Sequence, residues 1–390
     1  MSNFDYHVAA SATDIQELGR ILSQCFIAPV SDEPRYLDRL GIENVRILRN
    51  SDQIIGGLGI LRLGQWFGSQ RVEMAGIAAV GIAPEYRGKG AAIALMQQTL
   101  QELHDQDVPI SVLYPATQTL YRKVGYEQAG ILCKWEVATT DIQIRNHSLP
   151  IEAIAIDVNK LNTLYQKQAT LFNGHLDRNS VIWTTLLDSS KEMPLCVYRL
   201  GSETHPQGYV VFQQKRNGNR CEIQIRDWVL LTSEAIERFW TFLGDHRSQI
   251  DVIQWRSAPI DALTLSLPEQ VAKIRELDRW LLRIIHVKHA LEQRGYPPGI
   301  EAELHFDIHD PLFSRNTGKF MLTVANEVGT VIAGGRGDLQ LDISALSPLY
   351  SGLFSPIQLK GCDRLSGTDE ALAIATQLFT SSPPWMPDFF

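Results

Sequence analysis

Cysteine is scarce in this sequence: five in 390 residues, at positions 25, 133, 196, 221 and 362. They form no C-x-x-C pair and no metal-ligand spacing. The odd count and wide scatter suit free thiols in a reducing compartment. No apolar run approaches the roughly 20 residues of a membrane-spanning helix. Met1-Ser2-Asn3-Phe4-Asp5 offers neither a basic nor an apolar targeting region, so a soluble cytoplasmic protein without a membrane partner is expected. Positive charge is also in deficit, with 36 Lys and Arg against 44 Asp and Glu and a formal net charge of -8. A general nucleic-acid binder wants a basic face, so no nucleic-acid partner is expected, whereas a cationic small molecule is compatible with the balance. What is present suffices for real cores: 44% of residues are hydrophobic and 21% charged. Length alone suggests two or three domains.

The most informative stretch runs over residues 80–103. The apolar run at 74–82 reads as an internal strand that ends before Pro84, which has no N–H for a sheet ladder. Ile93, Leu95, Met96, Leu100 and Leu103 form one helical stripe, with Gln97, Gln98, Gln101 and Glu102 on the other side. Between strand and helix lies Arg87-Gly88-Lys89-Gly90-Ala91-Ala92, where small side chains let a ligand approach the backbone. The first helical N–H groups lack intrahelical partners and carry the positive end of the macrodipole, which suits a pyrophosphate. A P-loop is excluded because Gly90 follows Lys89 and no correctly spaced first glycine exists. A dinucleotide fingerprint is excluded because Ile93 stands where its third glycine belongs.

The pattern R-x-x-G-x-A, carried by Arg87, Gly90 and Ala92, resembles the acetyl-CoA pyrophosphate loop of the GCN5-related N-acetyltransferases, although the same letters also suit an ordinary strand-to-helix turn. A second motif points the same way. A strand over 109–113 is followed by Leu120-Tyr121-Arg122-Lys123-Val124-Gly125-Tyr126, similar to that family's [FL]-Y-x-[KR]-x-G-[FY] signature. Read without the family, it is a helix capped by Gly125 with Tyr126 packed beneath.

The rest of the chain is read in order. Helices are expected over 13–27, capped by Thr13 and Asp14, and from 32 to 40. Strands follow at 45–48, 54–62 and 71–82, with a turn at 66–69. Closing strands are expected at 130–139 and at Ile142. After 146–150 the order repeats: helices at 158–172 and 180–187, strands at 194–200, 208–214 and 222–230, a helix at 233–243 capped by Ser233, and a strand at 252–255. The loop of this second copy, Thr232-Ser233-Glu234-Ala235, has no arginine or glycine and carries a carboxylate, so it is expected to bind no CoA. A third region has strands at 303–307, 319–325, 331 and 338–343 and helices at 344–351 and 368–379, an α+β arrangement.

This order resembles the Eis (enhanced intracellular survival) branch of the acetyltransferases. The resemblance implies an α/β and α+β chain of three domains: an acetyl-CoA-binding domain over 1–148, an acetyltransferase-like domain without cofactor loop over 149–285, and a sterol-carrier-like domain over 286–390. It implies acetyl-CoA as co-substrate, no metal, and a homo-oligomer, a hexamer in the family. The acceptor is an amine of a small polycation such as an aminoglycoside, or a lysine side chain of a peptide.

The resemblance also assigns roles. Tyr121 is the general acid, unless it only packs. The C-terminal carboxylate of Phe390 is the general base, delivered by a tail of three prolines and three aromatics, Pro383-Pro384-Trp385-Met386-Pro387-Asp388-Phe389-Phe390, which could instead only seal an interface. The donor lies along Val80, Gly81 and Ile82, its pyrophosphate on Arg87, Gly88, Lys89, Gly90, Ala91 and Ala92, its thioester near Ala116. Phe26, Asp32, Glu33, Tyr36 and Trp66 are candidates for the acceptor pocket. His305 and His309 share a strand face but lack further ligands, and Arg336-Gly337-Asp338 reads as a plain turn. A non-catalytic acyl-CoA- or lipid-binding protein, working through its third domain, is the alternative.

Overall fold

The computed structural model describes residues 4–27, 32–189 and 193–390, with 32–35 in backbone only. The chain divides into two compact units. One comprises residues 1–129, 280–381 and 390, the other 130–279 and 382–389.

The first unit opens with β1 (Asp5–Val8), α1 (Ala12–Phe26), α2 (Asp32–Leu40), β2 (Val45–Asn50), β3 (Gln53–Phe67) and β4 (Gln70–Ile82). It continues through α3 (Ala91–Asp105), β5 (Ile110–Leu113) and α4 (Gln118–Arg122). Strands β1 to β4 pair antiparallel in order, and β5 joins β4 in parallel. α1 is capped two residues before the expected Thr13: Ser11 accepts from the Asp14 N–H, while the Asp14 carboxylate accepts from the Ala10 N–H. β3 also runs further than expected, because Gly68 and Ser69 both take positive φ and form a two-residue hairpin loop that keeps Trp66 and Phe67 in register with Arg71 and Gln70. Trp66 is therefore a strand residue, not part of a turn.

Of the predicted stripe of α3, Ile93 is half-buried, and Leu95, Met96, Leu100 and Leu103 are fully excluded from solvent. Each contributes roughly 1.5–3 kcal/mol by leaving water. Glu102, expected on the polar face, is instead tied into the sheet. The Arg46 guanidinium donates to it at 2.6 and 2.8 Å and the Tyr6 hydroxyl at 2.6 Å.

The strand β6 (Glu127–Ala138) leads into the second unit, which holds β7 (Ile151–Ala153), α5 (Val158–Ala169), β8 (Leu176–Asp177), α6 (Ser180–Leu186), β9 (Cys196–Gly201), β10 (Pro206–Asn217), β11 (Arg220–Leu230), α7 (Ser233–Gly244) and β12 (Val252–Ser257). Its sheet has the order β7-β9-β10-β11-β12-β6. The β11-α7-β12 segment repeats β4-α3-β5: Glu222–Gln224 pair in parallel with Val252–Gln254 as Met74–Gly76 pair with Ile110–Val112. Ile142 is not a strand; the chain turns through a 3₁₀ helix at Thr139–Asp141 just before it. The cap of α7 is Thr232 rather than Ser233, its hydroxyl accepting from the Ala235 N–H.

The first unit is completed by the end of β13 (Lys273–Ile284), then α8 (Val287–Gln293), β14 (Ala302–His309), β15 (Gly318–Ala325), β16 (Val328–Ala333), β17 (Leu339–Asp342), α9 (Ile343–Ser351), α10 (Pro356–Gly361), β18 (Leu365–Gly367) and α11 (Asp369–Phe379). These strands form a sheet of order β16-β15-β14-β17-β18. Leu281 to Ile284 of β13 pair antiparallel with β5. That pairing carries the fully buried Arg283 to Asp310 at 2.7 and 2.8 Å and to the Val124 carbonyl at 3.0 Å.

Candidate functional site

The site begins where β4 loses its neighbours. Beyond Gly76 no residue of β4 pairs with β5, so the edge from Ile77 to Ile82 is open on that side among the described residues. On the other side the β3 ladder slips between Gly57 and Gly59, leaving one extra residue on β4 where Ala79 takes φ +51°. A bulge of this kind turns backbone groups away from the ladder and re-aims them. Val80, Gly81 and Ile82 follow it directly, and the Ala83 N–H then bonds back to the Ile55 carbonyl at 2.8 Å.

After Ile82 the chain makes a 3₁₀ turn at Pro84–Tyr86 and enters the basic loop. Gly88 and Gly90 have φ +75° and +85°, and a Cβ on either would meet nothing within 4 Å. Glycine is required here by backbone conformation, and the space beside it is open. Gly90 is the N-cap of α3 and supplies no side-chain acceptor. The first N–H groups of the helix are therefore left for a ligand. Arg87 reaches back to the Ile82 carbonyl at 3.3 Å and to Cys25 Sγ at 3.3 Å, and the Lys89 ammonium lies 5.2 Å from the Tyr86 ring centre. An uncapped helix start, two glycines with open flanks and flanking cations fit the pyrophosphate of a CoA thioester.

α7 of the second unit contrasts at each point. Thr232 occupies an N–H of its first turn, and Glu234 places a carboxylate there. Both oppose a pyrophosphate.

Ala116 is exposed in the segment after β5, and Tyr121 follows on α4. The Tyr121 ring is 5% exposed, and burial pushes its phenol up to about 12. Its hydroxyl has no hydrogen-bond partner among the described residues, and its ring stands edge-on to Tyr126 at 6.0 Å. Tyr126 is the packing tyrosine: fully buried, its hydroxyl is 2.7 Å from Ser111 Oγ, which donates to the Ala75 carbonyl at 2.9 Å.

The terminal residue Phe390 lies against Gly76, the last residue of β4 that pairs with β5; a Cβ there would be 2.6 Å from the Phe390 ring. Gly76 carried no signal in the sequence beyond being a glycine inside a strand pattern, a usual mark of close approach.

The acceptor candidates are less concentrated. Phe26 ends α1 and is 44% exposed. Tyr36 is half-buried in α2, and Trp66 is half-buried on β3. The side chains of Asp32 and Glu33 lie outside the described residues.

One cluster has the composition of a metal site: Asp107, His286 and His289 hold ligand-type atoms within 4.8 Å of one another. Asp107 is exposed, however, and His286 Nε2 already lies 2.9 Å from the His104 carbonyl. His305 and His309 go separate ways, to Glu303 at 2.7 Å and to Asp342 at 3.0 Å. Arg336 Nε binds Asp338 at 2.7 Å, closing a local turn.

Comparison with known proteins matches these parts. Two acetyltransferase (GNAT) domain models match residues 8–129 and 174–284, and a sterol carrier protein domain model matches residues 287–387. A solved GCN5-related N-acetyltransferase from Anabaena variabilis is 53% identical with a TM-score of 0.97, all of both chains being covered. One from Kribbella flavida is 26% identical with a TM-score of 0.86, over 100% of this chain and 98% of the other. The N-acetyltransferase Eis of Mycobacterium tuberculosis is 22% identical over 311 residues, 76% of this chain and 75% of that protein. No described helix is long and apolar enough to cross a membrane. With a full-length relative of this identity and with two acetyltransferase domain models matched along it, the chain belongs to the GCN5-related N-acetyltransferases, in their Eis-type branch, and is an N-acetyltransferase that uses acetyl-CoA.

Proposed function

We propose that the acetyl group passes directly from acetyl-CoA to an amine of a small polycation of the aminoglycoside kind, or to a lysine side chain. The N–C bond forms as the C–S bond breaks. The amine must first lose a proton, because an alkylammonium has a pKa of about 10.4. The terminal carboxylate of Phe390 takes that proton, and Tyr121 gives one to the departing sulfur. Backbone N–H groups of Val80 and Ile82 polarise the thioester carbonyl, where negative charge develops in the transition state. Arg87, Gly88, Lys89, Gly90, Ala91 and Ala92 hold the pyrophosphate, and Ala116 stands near the thioester. Phe26, Asp32, Glu33, Tyr36 and Trp66 contribute to the acceptor pocket.

The observation that carries this reading is the lodging of Phe390 at Gly76, where β4 leaves β5 and its edge opens. The buried, protonated phenol of Tyr121 supports its part, since a tyrosine held at about 12 stays a proton donor across the physiological range.

The test is CoA-thiol release from acetyl-CoA with aminoglycosides, polyamines and lysine peptides, using the full chain and one lacking Phe390. Turnover by the full chain and its collapse without Phe390, at unchanged acetyl-CoA binding, is expected. Equal turnover by both removes the carboxylate from the mechanism. Tight acetyl-CoA binding without turnover on any amine removes the proposed acceptors.

A further inference from the structure

Three charged groups of the second unit are buried together without belonging to the cradle. Arg178 has no exposed side-chain surface, and Asp227 and Asp388 expose only 4% and 2% of theirs. The Arg178 guanidinium donates to Asp227 at 2.7 and 2.9 Å, and its Nε donates to both oxygens of Asp388 at 3.0 Å. Its planar face lies 3.7 Å from the Tyr165 ring centre and 4.8 Å from that of Trp183. The Tyr209 hydroxyl completes the set by donating to Asp227 at 2.6 Å.

Asp227 alone would neutralise Arg178. A second buried carboxylate, brought from 210 residues away in sequence, therefore calls for an explanation beyond charge balance. Asp388 belongs to the last residues of the chain, and the segment before it is held along its length. The Ile131 N–H donates to the Pro384 carbonyl at 3.0 Å, and the Trp385 N–H donates to the Asn173 carbonyl at 3.1 Å. The Trp385 ring is fixed edge-on to His175 at 4.4 Å and stacks on Trp228 at 6.1 Å. The segment is anchored down to Asp388, and Phe390 lies two residues beyond it, after the exposed Phe389. Two residues span at most about 7 Å, so whatever fixes Asp388 restricts the terminal carboxylate to a small volume.

We infer that Arg178 and Asp388 form a tail latch, and that they are positioning residues for the transfer: they hold the last residues so that the terminal carboxylate has a defined place. The inference rests on the reading of that carboxylate as the base. A bidentate guanidinium–carboxylate pair fixes both distance and plane, which a hydrophobic seal alone would not. A misplacement of about 1 Å in a reacting group is enough to cost on the order of 100-fold in rate.

The experiment uses the full chain, Asp388→Ala, Asp388→Asn and a chain lacking Phe390. Arg178 keeps Asp227 in both substituted chains, so the pocket is not left with an unpaired cation. Two readouts are taken: kcat against acetyl-CoA affinity, and the rate at which carboxypeptidase releases the terminal phenylalanine. In Asp388→Ala the tail is expected to be trimmed at least 10-fold faster and kcat to fall 10- to 100-fold, with acetyl-CoA affinity unchanged. Asp388→Asn, which keeps one acceptor for Arg178 Nε, falls between. If Asp388→Ala resists trimming like the parent, there is no latch. If it is trimmed quickly but keeps its kcat while the chain lacking Phe390 is dead, the tail is latched but the latch positions nothing. If the chain lacking Phe390 is fully active, the base assignment fails instead, whatever the trimming rates.

Discussion

Gly76→Ala separates catalysis from stability. The residue is buried within β4 and does not have a positive φ, so alanine meets no backbone penalty. The added methyl would stand 2.6, 3.0 and 3.2 Å from three carbons of the Phe390 ring. Carbon atoms pack best at about 3.5–4.0 Å, so the ring must withdraw by about 1 Å. The ring lies two residues beyond the anchored Asp388 and can shift by that amount, and the loss of glycine's unfolded-state entropy is worth about 0.4–1 kcal/mol. Thermal stability is therefore expected to hold or rise slightly. The transfer rate is expected to fall 10- to 100-fold, because the carboxylate of the same residue is displaced with its ring. Thermal unfolding and CoA-thiol release, measured on one preparation, read the two effects. A variant as active as the parent would refute the argument that Phe390 works from its place at Gly76. A variant that unfolds far earlier would refute the claim that the ring can yield.

Other outcomes follow from the same geometry. Gly90→Ala forces φ +85° on an L side chain at a cost of about 1–2 kcal/mol, and it is expected to raise KM for acetyl-CoA more than it lowers kcat, as steady-state kinetics will show. Tyr121→Phe should lower kcat by roughly 100- to 10,000-fold; because burial holds the phenol at about 12, its ionisation should leave no falling limb in the parent's pH–rate profile below about pH 10. Glu136 is pushed up by burial but pulled down further by Gln254, Arg220 and Arg275, to about 2. Its contribution to stability is thus complete above the ordinary carboxylate value of 4.5 and is lost as pH falls through that value towards 2; Glu136→Gln should flatten this part of the acid-unfolding curve. Asp310→Ala strands the buried Arg283 guanidinium and should cost about 3–5 kcal/mol in denaturant unfolding.

The local elements were legible in the sequence because local forces set them. Pro84 ends the strand, Gly88 and Gly90 allow the left-handed turns, and the apolar stripe from Leu95 to Leu103 orients α3. The loop from Arg87 to Ala92 is contiguous in the chain, so its left-handed glycines and the helix start after them could be named without coordinates. Misjudged positions were ones where a partner distant in sequence decides. Glu102 sits on a polar helix face by periodicity, yet Arg46 and Tyr6 claim it. Trp66 looked like a turn residue until β4 paired with it. Arg178 stands between Asp177 and Asn179, and Asp227 follows Arg226, so each looks like an ordinary polar position, and nothing local joined either to Asp388. The sequence by itself determined the glycine-rich turn between β4 and α3 and, through the motifs whose resemblance it carries, the enzyme class, since these rest on conformation and spacing within short segments. Only the tertiary structure decided where the chain's last residues go, because an ion pair across 210 residues and a ring seated on a bare glycine exist only when the fold brings their partners together.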